Sequence, residues 1–188
     1  MTLWVLGVIG LFILFILVGV RKKFRGPRRV AFVRCSGSCG DNGHLAADKP
    51  DLDHSCKNGC LGLGSCTKVC IRKAIQIRNG VAVVDQNRCI GCGACAKTCP
   101  QKLIKMVYFG KSMAVRCSSH KKGTEVRTVC PSGCIGCGLC VKQCEQGAIT
   151  FNDNLAEIDS SKCIGCGRCA DKCPVKVIVP AVATLKGK

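Results

Sequence analysis

The sequence is short of aromatic side chains and of acids. Aromatics make up 4% of its 188 residues, with one Trp and one Tyr. That leaves little of the bulk that dominates an ordinary large hydrophobic core. Asp and Glu number 11 against 29 Lys and Arg, for a formal charge of +18. The three histidines, His44, His54 and His120, fall in polar stretches and read as surface residues. No paired carboxylates, no nucleophile beside a base and no phosphate-cradling Gly-rich loop can be found. Bond-making chemistry is therefore not expected within this chain. What is abundant is cysteine, 20 residues in all. Such a content ordinarily points to a disulfide scaffold. The spacing argues against one, because thiols set two residues apart in threes crowd around a single point, which disulfide frameworks seldom need.

Cys89, Cys92, Cys95 and Cys99-Pro100 are spaced C-x2-C-x2-C-x3-C-P. The same run recurs at Cys163, Cys166, Cys169 and Cys173-Pro174, and without the proline at Cys134, Cys137, Cys140 and Cys144. This pattern resembles the bacterial-type ferredoxins, in which three thiolates hold one [4Fe–4S] cluster and the fourth reaches a neighbouring one. The spacing from Cys95 to Cys99 is one helical turn, so a short helix is expected there, stopped by Pro100. Modules of this kind draw folding energy from their metal centres rather than from buried area.

Thr2 to Val20 is an apolar run without a charged residue, long enough to span a bilayer as one helix. Arg21, Lys22, Lys23, Arg25, Arg28 and Arg29 follow it. By the positive-inside rule that flank, and all that follows, stays on the cytoplasmic side. A cleaved signal peptide would need positive charge ahead of the run and small residues at a cleavage site, and neither is present. The expectation is a single-pass anchor in the inner (cytoplasmic) membrane over 1–20 and a basic tether over 21–29 lying near anionic headgroups. The cytoplasmic side is reducing, which suits thiolate ligands.

The remainder is a tandem duplication. A shift of 74 residues lays Cys56, Cys60, Cys66, Cys70, Cys89, Cys92, Cys95 and Cys99 on Cys130, Cys134, Cys140, Cys144, Cys163, Cys166, Cys169 and Cys173. The segment Ala74–Asp85 matches Ala148–Asp159, and each reads as two short strands about a tight turn, with Asn79-Gly80 a favoured hairpin dipeptide. Upstream, Ala31–Cys35 matches Met113–Cys117 at an offset of 82, so one linker differs by eight residues. The expected fold class is α+β: two tandem 2[4Fe–4S] ferredoxin-like modules over 30–110 and 111–180, then a basic tail over 181–188.

Four [4Fe–4S] clusters account for 16 cysteines. In the second module, Cys134, Cys137, Cys140 and Cys173 would hold one, and Cys163, Cys166, Cys169 and Cys144 the other. In the first, Cys89, Cys92, Cys95 and Cys70 would hold one. The last site is irregular, because Leu63 stands where the repeat has Cys137. Cys56 is the nearest substitute, so the expected set is Cys56, Cys60, Cys66 and Cys99; a three-iron cluster without a fourth ligand is the alternative. Cys35, Cys39, Cys117 and Cys130 remain. They are dispersed in sequence and read as buried thiols, with a fifth site as the less economical reading.

Ala31–Cys35, Gly59–Cys66 (with its Cys-Leu-Gly-Leu-Gly-Ser-Cys) and Gly133–Cys140 resemble the B subunit of the Rnf complex. The resemblance covers nearly the whole chain from Arg29 onward. It implies an electron-transfer subunit of an ion-translocating ferredoxin:NAD+ oxidoreductase. Such a subunit exchanges electrons with soluble ferredoxin or flavodoxin and passes them to membrane and cytoplasmic partner subunits. The family usually carries a further four-cysteine cluster domain between anchor and Val-Arg-Cys strand, which is not found here. Ile71 and Glu145 also stand where the family often has proline. A polyferredoxin subunit of another membrane dehydrogenase or reductase would show the same wire. A zinc-bound nucleic-acid module would use paired rather than tripled cysteines, so no nucleic-acid partner is expected.

Overall fold

The computed structural model describes residues 27–37 and 56–181, together with helical positions Gly7, Gly10, Phe12 and Leu14. Among the described residues no helix is long and apolar enough to cross a membrane. The anchor expected over 1–20 lies almost wholly outside them, as do most of the tether, Cys39, His44, His54 and residues 182–188.

Four two-stranded antiparallel sheets and five short helices make up the described chain. The first module opens with β1 (Arg29–Val33) and ends with β4 (Ile104–Tyr108), and these two pair, Val33 opposite Ile104. Between them lie α1 (Ser65–Lys68), the hairpin β2 (Ile75–Arg78) and β3 (Val81–Val84), and α2 (Ala94–Thr98). The second module repeats the plan. β5 (Met113–Val115) pairs with β8 (Ile178–Pro180) around α4 (Leu139–Lys142), the hairpin β6 (Ile149–Asn152) and β7 (Leu155–Ile158), and α5 (Arg168–Asp171). An extra helix, α3 (Gly123–Val129), follows β5.

Local chemistry explains these elements. Both hairpins turn through two consecutive positive-φ residues, Asn79 (48°) and Gly80 (74°) in one, Asp153 (44°) and Asn154 (62°) in the other. That is the tight turn whose twist matches paired strands, and Asn, Asp and Gly bear it at least cost. α2 ends at Cys99, whose φ of −67° and ψ of 115° are extended, as the residue before a proline must be. Each module builds its core from one face of its strands plus its cysteines. Ala31, Val33, Ile75, Val81 and Val84 pack with Cys66 and Cys95, and Met113, Val115, Ile149 and Leu155 pack with Cys140 and Cys169.

A third cluster joins the modules. Val30, Phe32 and Val107 from the first sheet pack against Ala114 and Ala181 of the second, with Phe109 and Val179 at the edge. Ser118 donates its hydroxyl to the carbonyl of Asn58, and Gln86 reaches the carbonyl of Ala181. Arg34, following β1, donates its Nε–H to the carbonyl of Cys117 at 3.1 Å.

Candidate iron–sulfur sites

Three cavities in the protein are each lined by four cysteines. One holds Cys70, Cys89, Cys92 and Cys95, a second Cys134, Cys137, Cys140 and Cys173, a third Cys144, Cys163, Cys166 and Cys169. They are of similar size, about 20 Å³ each. The helices build them in pairs. α2 carries Cys95 at one site and, a turn later, delivers Cys99 toward the other end of its module. α4 and Cys144, and α5 and Cys173, do the same. Cys60, Cys66 and Cys99 form the remaining group: the thiol of Cys66 feels both Cys60 and Cys99.

Glycines shape the loops. Gly62 and Gly136, one repeat apart, have φ of 69° and 70°, and both lie against the tip of their module's hairpin. A Cβ on Gly62 would come within 2.9 Å of the Gly80 carbonyl oxygen, and one on Gly136 within 3.0 Å of the Asn154 carbonyl oxygen. A side chain at either would have to push the hairpin away.

The electrostatics are those of crowded thiols. Burial pushes Cys95, Cys140 and Cys169 up from 9.0 to about 11, and neighbouring cysteines add to the rise: Cys89, Cys92 and Cys70 at Cys95, Cys134 and Cys137 at Cys140, Cys163 and Cys166 at Cys169. Cys140 also raises Cys169, though the two line different cavities, so the sites of one module are close neighbours. The amides of Ala96, Val141 and Ala170 oppose the rise at Cys95, Cys140 and Cys169 in turn, and other amides reach the remaining sulfurs. Ala31 donates to Cys89 Sγ and Met113 to Cys163 Sγ, each at 3.4 Å; Ala74 donates to Cys70 Sγ at 3.3 Å and Leu103 to Cys99 Sγ at 3.4 Å. Such donors stabilise a thiolate and tune the centre it holds. Among the described residues no group of three or more His, Cys, Asp and Glu closes on a single ion. Four soft sulfurs gathered about one cavity without closing on a single ion, with amide hydrogens aimed at them, fit a thiolate-held cluster.

The exposed members are Cys92, Cys137 and Cys166, the middle cysteine of each triplet. Leu63 takes that place in the fourth loop and is 61% exposed. Cys56 is the residue expected to replace it. It lines a cavity with Cys35, Cys117 and Cys130. The physical reason is the duplication itself. Cys56 aligns with Cys130, and both precede their module's first triplet cysteine through the same turn, Gly59 N–H to Cys56 O at 2.9 Å and Gly133 N–H to Cys130 O at 3.1 Å. The loop from Cys60 to Cys66 itself offers two cysteines and a leucine, with Cys99 close to Cys66.

A family model described as a 4Fe-4S dicluster domain matches residues 88–148 and 133–177, and one described as an LdpA Fe-S cluster-binding domain matches residues 52–109. With the cysteine-lined cavities and the repeated hairpin-and-helix plan, these make the chain a [4Fe–4S] protein of tandem ferredoxin-like modules. Its curated relatives narrow the class. The B subunit of the proton-translocating ferredoxin:NAD(+) oxidoreductase complex of Clostridium ljungdahlii is 45% identical over 145 residues, 71% of this chain and 51% of that protein. The B subunit of the ion-translocating oxidoreductase complex of Methanosarcina acetivorans is 39% identical over 159 residues, 78% of this chain and 60% of that protein. The B subunit of the Na(+)-translocating ferredoxin:NAD(+) oxidoreductase complex of Acetobacterium woodii is 37% identical over 147 residues, 72% of this chain and 44% of that protein. The chain belongs to the family of these B subunits, and it spans about half the length of the relatives it matches.

Proposed function

We propose that this chain is the iron–sulfur electron-transfer subunit of an Rnf-like ion-translocating complex, relaying single electrons between soluble ferredoxin or flavodoxin and the partner subunits. The observation that carries the reading is the gathering of Cys70, Cys89, Cys92 and Cys95, of Cys134, Cys137, Cys140 and Cys173, and of Cys144, Cys163, Cys166 and Cys169 around one cavity each. Each set would hold a [4Fe–4S] cluster, and Cys60, Cys66 and Cys99 would hold the fourth centre of the two modules. Bound clusters supply one-electron chemistry; the chain's own part is to insulate, space and tune them.

Cys92, Cys137 and Cys166 are exposed, so three of the centres would come to the surface, where a soluble carrier can exchange electrons. With these 15 thiolates around four centres, the formal charge of +18 falls to roughly +11. A face of that sign attracts acidic carriers and speeds their encounter. The apolar run from Thr2 to Val20 and the basic residues after it support a single-pass anchor with the modules on the cytoplasmic face of the inner membrane.

The test is reduction of the anaerobically purified protein by reduced ferredoxin across ionic strength. The expected rate is high at low salt and falls steeply as salt screens the basic face. A rate indifferent to salt would remove that face as the docking site. Native purification decides the assembly: ion-translocating subunits should copurify, whereas an unrelated dehydrogenase would make the chain a generic polyferredoxin.

A further inference from the structure

Cys35, Cys56, Cys117 and Cys130 lie scattered in the sequence, and none belongs to the four sets above. In the folded chain they line one cavity, between the modules. Two come from each module, and they are related by the duplication: Cys35 and Cys117 end the Val-Arg-Cys segments that follow β1 and β5, and Cys56 and Cys130 begin the turns that lead to Cys60 and Cys134. We propose that these four cysteines form a fifth iron–sulfur site that bridges the two modules. The proposal rests on the reading above, that the chain is a cluster-bearing relay.

Several observations point the same way. The cavity, about 20 Å³, matches the three four-cysteine cavities described above, which are also about 20 Å³ each. It carries the same kind of amide donors: Ser119 N–H to Cys117 Sγ at 3.4 Å, with the Cys134 N–H also on Cys117, and the Cys60 and Gly37 N–H groups on Cys35. No three of the cysteines close on a single ion, which disfavours zinc and suits a cluster. Charge supplies an independent sign. Arg34 and Arg116, the arginines of the two Val-Arg-Cys segments, line the same cavity. Arg34 Nη2 and Arg116 Nε are buried there without a hydrogen-bond partner among the described residues. Arg34 also pairs with Glu157, but Arg116 has no ion pair among the described residues, and such a guanidinium is costly beside an apolar void and favourable beside a net-negative thiolate cluster.

Position gives the site a purpose. Cys35 receives the amide of Cys60, a member of the Cys60, Cys66 and Cys99 group, and Cys117 receives that of Cys134, a member of the second module's first set. A centre here touches one site of each module. It would accept one electron from a reduced neighbour, dropping one oxidation level, and return that electron to the neighbour on the other side, with no bond or proton moved. The relay would then be continuous from module to module.

The experiment compares anaerobically purified full-length protein with Cys117→Ser, Cys130→Ser and Cys35→Ser by iron and sulfide analysis and by electron paramagnetic resonance after dithionite reduction. Each variant should lose about four iron and four sulfide relative to wild type, and all three should lose the same spectral component although they lie in different modules. Cys163→Ser, as comparison, should lose a different component. Arg116→Gln keeps every cysteine, so it should leave the iron content unchanged and move that one component to a more negative potential. If a serine variant fails to fold, Arg116→Gln still decides: an unmoved potential overturns the site. Wild-type iron in Cys117→Ser and Cys130→Ser overturns it too, as does one zinc per chain lost from both. Were the wild type free of iron, the relay reading itself would fall. Loaded wild type with unaffected variants would sink only the fifth site.

Discussion

Arg34 reaches out of the first module to Glu157 on β7 of the second, Nη1 to Oε1 at 3.1 Å, and Lys105 on β4 reaches the same oxygen at 2.8 Å. One carboxylate thus collects two cations across the seam. Its repeat partner is Val83, so Arg116, the counterpart of Arg34, has no such acid. Apart from Leu63 in place of a cysteine, the eight aligned cysteines repeat without a gap, whereas the charges that clamp the two modules do not repeat.

That clamp has a pH signature. The hydrogen bond from Lys105, then the charges of Lys105 and Arg34, hold the Glu157 carboxyl below its ordinary 4.5. A lowered folded-state value stabilises the fold above the ordinary carboxylate range and is lost as pH falls through the folded value. Glu157→Gln should therefore lower stability at pH 7 by about 1 kcal/mol, since the pair is partly solvated. The gap to wild type should close as pH is taken below 4.5. Anaerobic denaturant titrations at several pH values check this. A gap independent of pH would assign the effect to packing.

Thiol titration sets the pH dependence of loading. Cys95, Cys140 and Cys169 sit at about 11 in the metal-free chain. At neutral pH they are protonated, and each must lose its proton to bind iron. Reconstitution with ferrous iron and sulfide should go further and faster at about pH 8.5 than at about pH 7. Stability of the cluster-free fold runs the opposite way. The unfolded thiols ionise first, near 9.0, so the fold loses stability as pH climbs from there toward 11. Loading that fell with rising pH would contradict the assignment.

Gly136 tests the coupling of loop to hairpin. Gly136→Ala would put a methyl 3.0 Å from the Asn154 carbonyl oxygen at a φ of 70°. Gly138→Ala, at a φ of 69°, meets nothing within 4 Å and measures strain alone. Gly138→Ala should cost about 1 kcal/mol and Gly136→Ala more than that. Gly136→Ala should also weaken the spectral component of the Cys134, Cys137, Cys140 and Cys173 site. Equal effects of the two substitutions would mean that the hairpin contact is immaterial.

Much of this is legible in the sequence alone. The duplication, both hairpins and the three complete cysteine sets follow from spacing, because a triplet of thiols two apart has few other uses and Asn79-Gly80 has one favoured turn. Three features are not. The pairing of β1 with β4 joins segments about 70 residues apart, with no local signal to announce it. α3 escapes a reading centred on cysteines, although Val126 and Val129 repeat at helical spacing and Glu125 sits in its first turn. Cys56 is near Cys60 in sequence, but its alignment with Cys130 is the better guide to where it lies. The shared cavity exists only once the two modules pack together and bring two strand ends side by side, which no spacing rule encodes.

Leu63 offers the sharpest engineering test. Its loop keeps Cys60 and Cys66, and Gly62 and Gly64 hold φ of 69° and 70°, matching Gly136 and Gly138 at 70° and 69° around Cys137. The backbone is therefore already set for a ligand, and the leucine side chain, 61% exposed, has little packing to lose. A site with three thiolates can lose its fourth iron on oxidation, because that iron has no protein sulfur to retain it. Leu63→Cys should restore the missing thiolate at almost no cost in stability. Mildly oxidised wild type should show the paramagnetic signal of a three-iron cluster, and the variant should lack it while gaining about one iron per chain. If the signal persisted in the variant, the new thiol would not reach the centre. If wild type never showed it, a fourth ligand would have to come from elsewhere in the chain, and Cys56→Ser and Cys35→Ser would be the variants to examine for its appearance.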